Sequence, residues 1–185
     1  MRYLLLLSTL LLTTGVEPRE HDHGDGDWVM DRSTSRIEFV ADYVGADVPG
    51  RFDTFDVTLS FDPLRPSEGR LEVSVDVSSA DLGDADLTAT VMDKPWFDAA
   101  TFAVAGFKSD AIVAVDAGGF AAQGTLELKG VVREVTVPFD WQRSGDAATM
   151  RGEVALSRLD FGIGVAVEEV GADVRVVFDI ALRRE

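Results

Sequence analysis

ADVRVVFDIAL, residues 172–182, sets apolar side chains at Val174, Val176, Phe178, Ile180 and Leu182, with charged or smaller residues at most positions between them. A period of two marks a strand, because successive side chains leave opposite faces of an extended chain. One apolar face and one wet face mark an antiparallel sheet. The same rhythm runs outward through the chain: Ile37 and Phe39; Val57, Leu59 and Phe61; Leu71 to Val77 at alternate positions; Leu126 and Leu128; Val135 to Trp141; Met150 to Leu156. Between these runs stand turn signals: SEG ending at Gly69, DLGD around Gly83, DAGG ending at Gly119, SGD at 144–146, and Gly171. Short strands with regularly placed turns predict a sandwich or an up-and-down barrel. One stretch departs from the rhythm. Leu87, Val91 and Met92 are spaced as on a helix, which predicts a short helix from Asp84 to Asp93, stopped before Pro95. A mostly β chain with one inserted helix points to a closed barrel with the helix over or beside its mouth. Phe52 and Phe55 are three apart, so a bulge near Asp53 or Thr54 is expected to restore the phase for Val57 onward.

Bulk properties narrow the function. The 185 residues suffice for one domain with one core. With 33 acidic against 17 basic residues the net charge is −16, a field that repels nucleic acid and anionic lipid surfaces. The start, MRYLLLLSTLLLTTG, has an early Arg, an apolar run from Tyr3 to Leu12 and small residues after it. That is the layout of a cleaved signal peptide over 1–16, too short to span a bilayer, and it predicts a periplasmic or secreted protein. HDHGDGD, residues 21–27, reads as part of an acidic linker over 17–27 ahead of a folded domain at 28–185. His21, His23 and the neighbouring aspartates have metal-ligand chemistry, but the entropy of ordering a polar, glycine-broken segment favours a solvated linker. There is no cysteine, so neither disulfides nor thiol chemistry are available.

Five segments carry a resemblance. WVMDRSTSRIEF at 28–39, VPGRFDTFDVTLSFDP at 48–63, KPWFDAATF at 94–102, QGTLELKGVVREVTVPF at 123–139 and LSRLDFGIG at 156–164 resemble the YceI-like family, in family order. The resemblance implies an all-β, lipocalin-like, eight-stranded antiparallel up-and-down β-barrel with one short helix inserted between strands. It also implies an apolar interior that holds a polyisoprenoid or quinone-type lipid, with no catalytic residues and no cofactor beyond that ligand. A membrane b-type cytochrome is the implied partner. The chain departs from the family pattern at Tyr43, where many relatives have His, at Ala103, where Pro is usual, and after FGIG, where VAVEEVGADV follows. The first and third departures bear on the mouth of the pocket more than on the fold.

For the apolar pocket the expected residues are Phe39, Phe52, Phe55, Trp96, Phe97, Phe102, Phe107, Phe161 and Ile163, the alternative for each Phe being plain core packing. Trp96 and Phe97, in a loop after the helix, are expected to plug one barrel end or to gate it. Arg158 and Tyr43 are the head-group candidates. Alternation along SRLDFGIG puts Phe161 and Ile163 on one face and Arg158 with Asp160 on the other, where an ion pair at the rim is the competing role for Arg158. Enzyme templates fail: the domain from 28 onward holds no Cys, no His and no GxSxG, and Asp93 with Asp98 reads as capping in so acidic a chain. The expectation is non-enzymatic storage or transport of an isoprenoid lipid. The alternative is a side-chain-filled barrel that meets a membrane partner through its acidic surface.

Overall fold

The computed structural model describes residues 27–116 and 118–184, so the expected leader, nearly all of the linker and both histidines lie outside it. Among the described residues eleven strands follow one another: β1 (Asp27–Met30), β2 (Arg36–Tyr43), β3 (Ala46–Phe52), β4 (Phe55–Ser60), β5 (Arg70–Asp76), β6 (Ala80–Asp81), β7 (Val104–Ala114), β8 (Phe120–Leu128), β9 (Val131–Ser144), β10 (Ala147–Ser157) and β11 (Val170–Arg184). One helix, α1 (Ala85–Met92), stands between β6 and β7.

The eleven strands make eight staves. β1 pairs with β4 and β2 with β3, so β1 and β2 are one stave broken at Asp31–Ser35, and β3 and β4 are the next, broken at Asp53–Thr54. β6 continues β5 after a 3₁₀ turn at Val77–Ser79. All pairings are antiparallel and join neighbours, and β11 closes the ring by pairing with β10 on one side and with β1 and β2 on the other. The all-β, eight-stranded up-and-down barrel is therefore present. Closure abolishes the exposed sheet edges that invite aggregation.

Irregularities supply the curvature that closure needs. The break at Asp53–Thr54 lets both Phe52 and Phe55 pack into the core, as the three-residue spacing requires. The β7–β8 register shifts between Ser109 and Ala111, and the buried Ser109 Oγ accepts the Leu71 N–H at 2.9 Å. Helix α1 runs one residue shorter at each end than its expected span: Asp84 is the N-cap, its carboxylate accepting the N–H groups of Asp86 and Leu87 at 3.0 Å each, and Asp93 is the C-cap. No α1 residue is fully buried and Leu87 is 48% exposed, so the helix sits on the barrel and not in it.

Hairpins at Val44–Gly45 and Lys129–Gly130, helix α1 and the β10–β11 loop share one end of the barrel, here the helix end. The two chain termini of the described domain, the β4–β5 loop and the β9–β10 hairpin share the other, the terminus end.

One expectation is corrected. The strand alternation assumed through SRLDFGIG is absent: β10 stops at Ser157, Arg158–Phe161 forms a 3₁₀ turn, and Gly162 and Gly164 take left-handed φ values of 66° and 56°. Phe161 and Ile163 are buried, but in a folded loop at the helix end and not along a stave. Left-handed backbone at two glycines turns the chain out of the sheet, so parity no longer decides which way each side chain points.

Candidate functional site

Inward positions change character along the barrel axis. On β11, Phe178, Ile180 and Leu182 are buried, whereas Val174 and Val176, nearer the helix end, are only half-buried. On β10, Ala148 and Met150 are buried while Val154 and Leu156 are half-buried. Inward side chains that keep accessible surface face an unfilled space. That space is a cavity of about 130 Å³, walled by Val73, Leu126, Val135, Val154, Val176 and other apolar residues. It presents mostly branched aliphatic chains with Phe107, Phe178 and Met150, and no charged or hydrogen-bonding side chain.

An aromatic cluster packs the bore at the terminus end, beyond the residues that border the cavity. Phe61 packs edge-on against Phe120, Phe139 and Trp141 at ring separations of 4.9, 5.6 and 5.0 Å. Trp28 meets Trp141 at 5.0 Å, and its Nε1–H donates to the Phe61 carbonyl at 3.0 Å. These rings belong to the packed core at that end of the bore.

At the helix end Phe97, delivered by the loop after α1, meets Phe39 at 6.4 Å and Phe52 at 6.1 Å, and those two meet at 5.1 Å. A Cβ added at Gly50 would run into the Phe39 ring, one at Gly130 into Phe102, and one at Gly164 into Trp96. Three glycines are thus seats for three rings. The Gly164 N–H donates to the Pro95 carbonyl at 2.7 Å, and Lys129 Nζ donates to the Gly162 carbonyl at 2.9 Å, so the Trp96 loop, the β10–β11 loop and the β8–β9 hairpin are tied together.

Arg158 organises that cap. It is 6% exposed, and its five N–H donors reach five backbone carbonyls: Gly171 from Nε at 2.8 Å, Ile163 and Gly164 from Nη1 at 2.8 and 2.6 Å, Val167 and Val170 from Nη2 at 2.8 and 2.5 Å. Burial draws its pKa below the usual arginine value, and the carbonyl dipoles offset part of the desolvation of the cation. The head-group role expected of Arg158 is therefore corrected, since no donor remains for a ligand. The ion pair with Asp160 is corrected too: Asp160 is exposed, and the Arg158 guanidinium meets carbonyls and the face of Trp96 at 6.0 Å.

Of the other expected residues, Phe107 alone borders the cavity. Phe55 belongs to the packed core, and Phe39, Phe52 and Phe97 form the aromatic group at the helix end. Phe102 and Trp96 sit over glycines, Phe161 and Ile163 inside the Arg158 loop, and Tyr43 is 51% exposed at the end of β2. Asp98 Oδ1 accepts the Thr101 hydroxyl at 2.9 Å, a turn contact. Sequence reasoning missed the aliphatic lining and one cation. Arg133 is in phase with Val135 and Val137, both of which border the cavity, and lies opposite Leu126, which also does. The signal was present as a charged residue inside an apolar period, VVREVTV at 131–137.

A closed eight-stave antiparallel barrel enclosing an apolar chamber defines the lipocalin-like class. A family model for the YceI-like domain matches residues 28–182, and the chain belongs to that family. A UPF0312 protein of Shewanella denitrificans is 28% identical over 185 residues, covering 93% of this chain and 91% of its own. Among solved structures, BcnA of Burkholderia cenocepacia is 29% identical with a TM-score of 0.79, covering 82% of this chain and 98% of its own. A polyisoprenoid binding domain from Saccharophagus degradans, implicated in plant cell wall breakdown, shares the fold at 17% identity with a TM-score of 0.69, covering 86% of this chain and 99% of its own.

Proposed function

We propose that the protein carries or stores a long-chain isoprenoid lipid, of polyprenyl or quinone type, outside the cytoplasm and without transforming it. The observation that carries this reading is the chamber: its all-apolar wall suits an apolar chain and offers a polar substrate nothing. The polyisoprenoid-binding relative of the same fold adds to it, and the signal-like start supports export. A membrane b-type cytochrome is a fitting partner if the cargo is a quinone. The interaction-protein reading draws on the filled terminus half of the barrel, but it leaves the hollow half without a use.

The test is mass spectrometry of an organic extract from the purified protein, followed by titration with geranylgeraniol. Co-purified prenyl lipid, or saturable one-to-one binding of the added prenol, is expected. A lipid-free extract together with no binding would overturn the proposal.

A further inference from the structure

We propose that Arg133 anchors the anionic, phosphate-type head group of the lipid whose tail lies in the chamber. The inference rests on the carrier reading and goes beyond it by naming the class of head and the residue that reads it.

The chamber wall has no polar side chain, so a charged head cannot enter it and must stop at its margin. Arg133 stands at that margin. Its Cβ is on the inner face of β9, two residues beyond Val135 toward the helix end, with Leu126 directly across on β8. Yet its side chain is exposed. Its hydrogen bond, from Nη1 to the Val132 carbonyl at 3.1 Å, uses one of five donors. No carboxylate lies within ion-pair distance of it among the described residues, although the chain has 33 acidic residues to offer. Arg32, Arg51, Arg65, Arg151 and Arg175 each have such a partner; Arg36, Arg70, Arg143 and Arg183 have none either, but none of them stands at the helix end. Glu134, its sequence neighbour, and Glu127, next to its cross-strand partner Leu126, alternate onto the opposite face of their strands. Lys129 points its ammonium at carbonyls of the cap, and Arg158 has no donor left. Arg133 is thus an arginine at the chamber margin with a free guanidinium fork, the geometry that binds phosphate through two parallel hydrogen bonds.

The neighbouring backbone gives the tail a way in. The β9–β10 ladder runs only from Ala147–Ser144 to Arg151–Asp140. It ends two residues short of Pro138, which has no N–H to give and whose carbonyl oxygen lies close against Gly152. Beyond it, Val135 and Val137 on one strand and Val154 and Leu156 on the other border the chamber without ladder hydrogen bonds between them. A chain lying along this seam would place its head beside Arg133.

The experiment compares geranylgeranyl phosphate with geranylgeraniol by calorimetric titration of the purified protein. The wild type is expected to favour the phosphate by about tenfold, the scale of one charge-assisted contact. Arg133→Gln should lose that preference while keeping its affinity for the alcohol, and Arg133→Lys should recover part of it. Arg65→Gln, an equal change of net charge at the terminus end, should leave it intact. Equal affinity of the wild type for the two lipids, or a phosphate preference that survives in Arg133→Gln, would overturn the inference and leave the carrier reading standing. Binding of neither lipid by the wild type would overturn both.

Discussion

Two arginines on inward-tending backbone meet opposite fates. Arg158 has five carbonyl partners and no carboxylate, so it works as the hub of the 158–171 loop. A lysine there has three donors on a point charge and cannot reproduce the planar fork. Arg158→Lys is expected to cost about 2–4 kcal/mol, because several buried carbonyls lose their donors. Urea unfolding would measure the loss, and amide exchange should show it concentrated in residues 158–171. Neither the hub nor the free Arg133 is marked by residue type. For Arg133 the apolar period 131–137 was a usable clue, since a charge in the inward phase of a strand must end at a margin or find a partner. For Arg158 there was no comparable clue, because two left-handed glycines cancel the parity argument within four residues.

At the scale of elements, alternation read the staves well: β4, β5, β8, β9, β10 and β11 all carry the inward residues expected of them, and α1 falls within one residue of its expected ends. Parity tells which face a side chain takes but not how far along the bore it lies. Depth depends on register and stagger between strands, which are set by distant pairings such as Val176 with Phe39. That is why most of the aromatic residues expected to line the pocket stand at the helix end, while Phe107 alone of them borders the cavity, beside valine and leucine. β10 offers a direct check of the wall. Val154 faces the chamber and Ala155 faces out, one residue apart on the same stave. Val154→Phe should fill the space, reduce lipid affinity by at least about tenfold, and leave the melting temperature unchanged or raised, because it occupies an existing void. Ala155→Phe should change neither quantity. Equal effects of the two substitutions in titration and thermal unfolding would contradict the assignment of the wall.

Across the whole molecule, acidic residues serve the fold as turn caps as well as making up the surface. The Asp31 carboxyl is held below its ordinary value of 3.8 by the Ser33 hydroxyl and N–H, and Asp62 by the Leu64 N–H and then by Arg65. A depressed folded-state pKa gives stability that is present above the unfolded value and is lost as pH falls through the folded one. Stability from these two turns should therefore hold at neutral pH and decline below about pH 3.8. Urea unfolding from pH 7 to pH 2 would follow the decline, and Asp31→Asn with Asp62→Asn should flatten the acid limb. A limb of unchanged steepness in the double variant would assign acid sensitivity to other carboxylates.

The aromatic cluster has one more consequence. A bore packed with rings at one end and unladdered along one side near the other would give a bound chain a limited depth. From Phe139 in that cluster to Arg133 at the margin the same strand advances six residues, on the order of 20 Å at strand rise. If the head is held at Arg133, a chain longer than this span has to leave its excess length in the seam, because of β9 only Val135 and Val137 border the chamber. On the carrier reading proposed above, the rings of Phe61, Phe120 and Phe139 set the lower limit of the space open to a chain.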